Sequence, residues 1–335
     1  MLTGCRHSSR SPISQLSCFA YSRSVFAFWN PSQLEITDLI IAHDPVTHVR
    51  RPVRKSDVQE IFTQFGNRQA LAAIRDLPEC DGVLDPRAVD RLLLTIHWEM
   101  QRLGEEFYHG HRVRDLLLPV IATVRANGLR GPLRIVDVGT GIGYVIRWLA
   151  ARTSLPSQEI QLVGMDLNST LVREAARLAA AENLPCQFIQ GDAFSREFAA
   201  HIYLSTGVIH HFRDAALPEF LRRHDLPETH AFLHFDFHPW TLAPVGSWFF
   251  HVLRMRTAVS RHDGVLSAAR AHTAATLTGA ARTALPAFSS GIYGADIWGT
   301  SIPRVFQTLL GIRPELLPAL KLNLGRRVRR LGPMS

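Results

Sequence analysis

The sequence predicts an α/β fold: a mostly parallel sheet with helices on both faces, entered through a helical cap. Three observations carry this expectation. From Arg134 onward, short apolar runs alternate with longer segments of helical periodicity. One glycine-rich loop, Asp137-Val-Gly139-Thr-Gly141-Ile-Gly143, stands between the first such run and the first such helix. Before Arg134 the apolar spacing is helical only. Strands alternating with helices require right-handed crossovers, which lay the strands parallel and cover both faces.

The cap is expected over residues 56–130. Ser56 and Gln59 have capping-box spacing ahead of Val58, Ile61, Phe62 and Phe65. Asp85-Pro86 pairs a capping side chain with proline at the first helical position. Behind it, Val89, Leu92, Leu93, Ile96, Met100, Leu103 and Phe107 form one stripe. A further stripe from Val113 to Val124 stops at Asn127-Gly128. In the sheet domain, 131–312, strands are expected at Ile135–Val138, Leu162–Met165, Cys186–Gln190, Ile202–Leu204 and Ala231–Phe237, with closing strands at Phe288–Tyr293 and Arg304–Leu309. Helices are expected at Tyr144–Ala151, Leu171–Ala181, Leu217–Arg223 and Trp248–Met255. Residues 313–335 predict a last helix, Pro318–Leu324, and a basic tail. Residues 1–55 predict an extension and a linker, poorly ordered; the Ser- and Arg-rich, acid-free start has the composition of a transit peptide and equally of a plain extension.

Composition narrows the function. The 335 residues carry a net charge of +8, but Arg6, Arg10 and Arg23 supply three charges of it, and Arg326, Arg327, Arg329 and Arg330 four. The body between is left at +1, which does not indicate a nucleic-acid surface. No apolar run reaches the eighteen or so residues of a membrane span. Cys5, Cys18, Cys80 and Cys186 are scattered without a CxxC pair, so neither a disulfide framework nor a zinc cage is expected, and a reducing, cytoplasmic setting fits.

The chemistry is expected at three consecutive strand ends, where ligands of open parallel sheets bind. The glycine loop lets backbone approach a ligand closely and aims the following helix's free N–H groups at it. Asp166, ending the second strand, can accept both hydroxyls of a ribose. Gly191-Asp192-Ala193-Phe194, ending the third, can read an adenine edge through the Asp192 carboxylate and the backbone at Ala193 or Phe194. A dinucleotide site would want G-x-G-x-x-G, and Tyr144 stands where the last glycine belongs.

These residues resemble the motifs of the class I S-adenosylmethionine-dependent methyltransferases. Arg134–Gly143 is similar to the family's first motif, Leu162–Asn168 to its second, Gly191–Phe194 to its third, and Leu204–Phe212 to the fourth-strand segment of small-molecule members. The resemblance implies a Rossmann-like, seven-stranded sheet and S-adenosylmethionine as cofactor. It implies that Asp137, Gly139, Thr140, Gly141 and Gly143 hold the methionine part and Asp166, with Leu167, the ribose. Asp192 and Ala193 would hold the adenine, with Ser205 beside the cofactor. It also implies a small-molecule methyl acceptor. The chain departs from the pattern at His201, where many members have an acid. A relative that binds the nucleoside without methylating anything, and a nicotinamide oxidoreductase, stand as the alternatives.

His210 and His211 follow the fourth strand, where an acceptor would lie, and are the candidates for a general base. His234, Asp236 and His238 alternate on the fifth strand and share one face, which places polar groups at a strand tip; no metal is expected there. The aromatic run Trp240, Trp248, Phe249 and Phe250 is usual for a core and would also suit a lid.

Overall fold

The computed structural model describes residues 33–44, 47–153, 159–195, 198–294 and 305–335. Its centre is a seven-stranded sheet of β1 (Leu133–Val138), β2 (Ile160–Asp166), β3 (Cys186–Gln190), β4 (Ile202–Thr206), β5 (Ala231–Phe237), β6 (Ser289–Tyr293) and β7 (Phe306–Ile312). Their order across the sheet is β6-β7-β5-β4-β1-β2-β3. Strands β1 to β5 pair in parallel, and β7 runs antiparallel to both β5 and β6. The order reverses beside β1, between β4 and β2, so the glycine loop lies at the switch point where a ligand crevice forms.

Apolar side chains on each strand choose the face. One face packs under α5 (His109–Ala126), α6 (Tyr144–Arg152) and α12 (Leu317–Leu324), through Leu116, Val120, Ile146 and Leu320. The other packs under α8 (Ala216–Arg222) and α11 (Ala274–Ala284), through Phe220, Leu221, Leu277 and Ala281. α7 (Ser169–Ala181) starts at Asn168, whose side chain accepts from the amides of Thr170 and Leu171.

The cap contains α2 (Lys55–Gln64), α3 (Arg68–Arg75) and the 21-residue α4 (Pro86–Glu106). Asp85 caps α4 as its sequence demands, accepting from the Arg87 amide at 2.9 Å. The Ser56 capping box does not form: α2 begins two residues earlier than that cap would set, behind Arg54, and has no side-chain cap. The helix α3, absent from the sequence reading, starts at Asn67, which accepts from the Ala70 amide.

One expectation about the ends needs correction. Within the expected extension and linker, residues 33–44 and 47–55 are built into the fold. Helix α1 (Ile36–Ile40) buries Ile36, Leu39 and Ile40 with Phe62, Ile74 and Leu93 in one cluster, and residues 42–43 pair with 50–51. Residues 1–32 lie outside the described residues. α1 is held from across the molecule: Asp263, on α10 (Ala258–Ala269), accepts from the amides of Ile36 and Thr37 and from the Thr37 hydroxyl. Arg270, fully buried, ion-pairs Glu35 at 3.1 Å and also Asp38. Removing one partner from a buried ion cluster strands the remaining charges. Arg270→Met should therefore lower unfolding free energy by about 3 kcal/mol in urea titrations.

The basic C-terminal tail is likewise docked. Backbone bonds join Gly332 to Ile292 and Ser335 to Ser290, so the last residues cover the β6 edge. No helix among the described residues is long and apolar enough to cross a membrane.

Candidate active site

A cavity of about 540 Å³ opens over the carboxyl ends of β1, β2, β4 and β5. Its floor is the glycine loop. Gly141 (φ 58°) and Gly143 (φ 74°) both occupy the left-handed region that side chains resist. A Cβ on Gly143 would sit 2.3 Å from the Phe188 ring, and one on Gly141 would sit 2.6 Å from His97. Conformation and packing thus exclude any other residue at these two positions.

Asp137 lies under the loop. One carboxylate oxygen accepts from the Thr140 hydroxyl at 2.8 Å, while Oδ1 is buried without a hydrogen-bond partner. Burial pushes its carboxyl up to about 7, against the Thr140 bond and with the Asp166 charge adding to the rise. Asp166 binds the loop in place: its two oxygens accept from the amides of Gly141 and Asn168, each at 2.9 Å. Asp192 accepts from the Phe194 amide at 2.9 Å. Gly139, Thr140, Asp166, Leu167, Asp192 and Ala193 all line the cavity.

Ser205 does not. Its hydroxyl is wholly buried and bonds His234 Nδ1 at 2.8 Å on the far side of β4. The alternation of a strand hands the cavity position to the next residue, Thr206. His234 goes with Ser205 into the core, so the expected face of His234, Asp236 and His238 does not assemble in the cavity. His201 sits at the other end of β4, its Nδ1 accepting from the Arg134 amide.

The two histidines after β4 have different environments. His210 is buried; its Nδ1 lies 2.8 Å from Asp236 Oδ1, and its amide donates to Asp236 Oδ2 at 2.9 Å. Burial brings the His210 pKa down to about 4, against the pull of Asp236. Asp236 falls below its usual range despite its burial, because His210 and the Phe237 amide hold it ionised. An ionised carboxylate only accepts, so neutral His210 carries its proton on Nδ1 and a lone pair on Nε2. That Nε2 has no hydrogen-bond partner, and the ring borders the cavity. His211 instead faces the N-terminal segment, 3.8 Å from Glu35 and 3.6 Å from Asp38. Burial would lower its pKa, but those carboxylates outweigh burial and raise it.

Glu35, His210 and His211 bring three ligand-capable atoms together. Arg270 pairs with both Glu35 and Asp38 there, and His211 lies 3.8 Å and 3.6 Å from the same two carboxylates, so these acids are already engaged by the chain's own basic groups.

Several cavity residues escaped the sequence reading. Thr37, Asp38, Ile41 and His43 roof it from the N-terminal segment, and His48 reaches within 3.8 Å of Asp192. His97 and His109 face it from α4 and α5. The stripe of α4 runs through Ile96 and Met100, and that periodicity was the available signal for His97. Nothing local marks the others.

Residues 135–224 match the family model described as a methyltransferase domain. That stretch of the chain carries a methyltransferase domain. No curated relative matches the sequence significantly. Among solved structures, this chain is similar to the plantazolicin methyltransferase BamL, solved with a triazolic desmethylPZN analog and SAH. That match has 13% identity, covers 65% of this chain and 90% of that chain, and has a TM-score of 0.47. It is similar to magnesium protoporphyrin IX methyltransferase from Synechocystis PCC 6803, with 18% identity over 77% of this chain and 99% of that chain, TM-score 0.39. A SAM-dependent methyltransferase from Aquifex aeolicus matches at 10% identity over 60% of this chain and 92% of that chain, TM-score 0.39. The matched segment runs from β1 through α8 and holds the glycine loop, Asp166, Asp192 and His210. Asp236, Arg270 and the whole cap lie outside it. The residues fit S-adenosylmethionine: a buried carboxylate oxygen without a partner suits a cationic ligand, and Gly139 and Gly141 border the cavity without side chains.

Proposed function

We propose that this methyltransferase transfers a methyl group from S-adenosylmethionine to a small, largely apolar acceptor bearing a proton on the atom to be methylated. The observation that carries this reading is Nε2 of His210, buried and unpartnered on a residue that lines the cavity, behind which Asp236 holds the other ring nitrogen.

When bound, S-adenosylmethionine supplies a methyl group already activated on a sulfonium. The chain's own residues then bind, orient and exclude water. Asp137 and the glycine loop take the methionine end, Asp166 and Leu167 the ribose, and Asp192 and Ala193 the adenine. On the acceptor side, Leu103, Phe235, Phe237, Met255 and Phe306 form an apolar wall. His210 Nε2 takes the acceptor proton as the methyl arrives, and Asp236 stabilises the imidazolium that results. His211, engaged with Glu35 and Asp38, steadies the roof.

Incubation with methyl-tritiated S-adenosylmethionine and an organic-solvent extract of the source cells tests the reading. Label should appear in the small-molecule fraction. Label confined to protein or nucleic acid would overturn the acceptor class.

A further inference from the structure

The helix α9 (Ala243–Arg254) is turned inside out with respect to an ordinary surface helix. Its inner face is mixed: His251 and Met255, just beyond its end, border the cavity, and the Ser247 hydroxyl donates to the Gly264 carbonyl at 2.8 Å. Its outer face is apolar. Val245, Trp248, Phe249 and Val252 recur at helical spacing, and Trp248 is 49%, Phe249 58% and Leu253 79% exposed. Trp240 and Leu242, ahead of the helix, are exposed too. Val305, whose carbonyl accepts from the His238 amide, extends the patch toward β7. Scattered exposed apolar residues are normal; a contiguous face with two tryptophans marks an interaction site.

The sequence around the face states which partner fits. Residues 237–262 contain no Asp or Glu, while Arg254, Arg256 and Arg261 are basic. Arg254 is 61% exposed even while it pairs with Glu106. Tryptophan, phenylalanine and leucine on one face with arginines at its margin are what seat a helix in the plane of a lipid interface. Basic side chains at that depth are drawn to anionic headgroups.

We propose that α9 docks this protein on the surface of an anionic lipid bilayer, with Trp240, Trp248, Phe249 and Leu253 entering the interface. The helix then has two duties, as a wall of the cavity and as the membrane-facing surface. The placement rests on the exposed face and its charge, and stands apart from the assignment of the methyl donor.

Co-sedimentation of the full chain with phosphatidylcholine vesicles, with and without roughly a third phosphatidylglycerol, tests it. The protein should bind the anionic vesicles, release in high salt, and show a blue shift of tryptophan emission on binding. Trp248→Ser, Phe249→Ser and Leu253→Ser together should reduce binding about tenfold or more. The thermal midpoint and S-adenosylhomocysteine affinity of this triple variant should match the parent's, which excludes unfolding as the cause. Absence of binding to either vesicle, or equal binding by the triple variant, would overturn the proposal. So would a dimer of the parent, by analytical ultracentrifugation, that the triple substitution dissolves, because the face would then belong to a second copy.

Discussion

His210→Ala should lower turnover by about 10²–10³-fold with little change in donor affinity, because a positioned base is typically worth that much. The measurement is kcat at saturating S-adenosylmethionine beside the calorimetric Kd for S-adenosylhomocysteine. The pH profile adds an independent check. Burial lowers the His210 pKa to about 4, so the base form persists through neutrality and is lost only as pH falls through that value. At saturating donor, kcat should show no His-dependent loss between pH 8 and pH 5. An ordinary exposed histidine would lose half its base form near pH 6.5. Asp236→Asn should also slow the reaction, since the amide no longer compels His210 to carry its proton on Nδ1. If Asp236→Asn left kcat unchanged, the pair would be structural.

Asp166→Ala should weaken S-adenosylhomocysteine binding by about a hundredfold, read by calorimetry. Hydrogen bonds to a charged acceptor contribute about 1.5–3 kcal/mol each. This carboxylate has two tasks: it is the proposed ribose acceptor, and it already takes the amides of Gly141 and Asn168. Its loss therefore removes ligand contacts and loosens the glycine loop together. Asp166→Asn separates the two, because an amide oxygen can still accept from one loop amide. It should recover thermal stability more fully than it recovers affinity.

The donor half of the site was legible in sequence because its parts are local. The glycine loop, Asp166 and Asp192 each end a short apolar strand, and β3 and β5 fall at the bounds their apolar runs predict. The acceptor half was not, because its parts meet only in three dimensions. Asp236 stands 26 residues from His210, and nothing in either segment names the other. Ser205 failed by one residue: at the end of a short strand, a single step in phase exchanges core for cavity. Residues 1–55 read as extension and linker because the basic run from Arg50 to Lys55, broken by Pro52, hides short apolar clusters around Ile36 and Val53. Helix α11 gives little apolar periodicity because alanine and threonine dominate it, and in α10 the apolar positions are broken up by Ser260, His262, Asp263 and Gly264.

The clasp between α1 and α10 has a consequence for the order in which the molecule is made. Asp263 and Arg270 meet residues more than 220 positions earlier in the chain. During synthesis the N-terminal segment emerges long before its partners, and contacts between distant positions form late because their loop must close first. The sheet from β1 to β5 can assemble while the roof still waits. A nascent chain released before Arg270 would hold the donor loop and His210, yet leave Glu35 and Asp38 without the charge that folds them over it. Competence to enclose a ligand is thus acquired in a late step, after Arg270 has emerged.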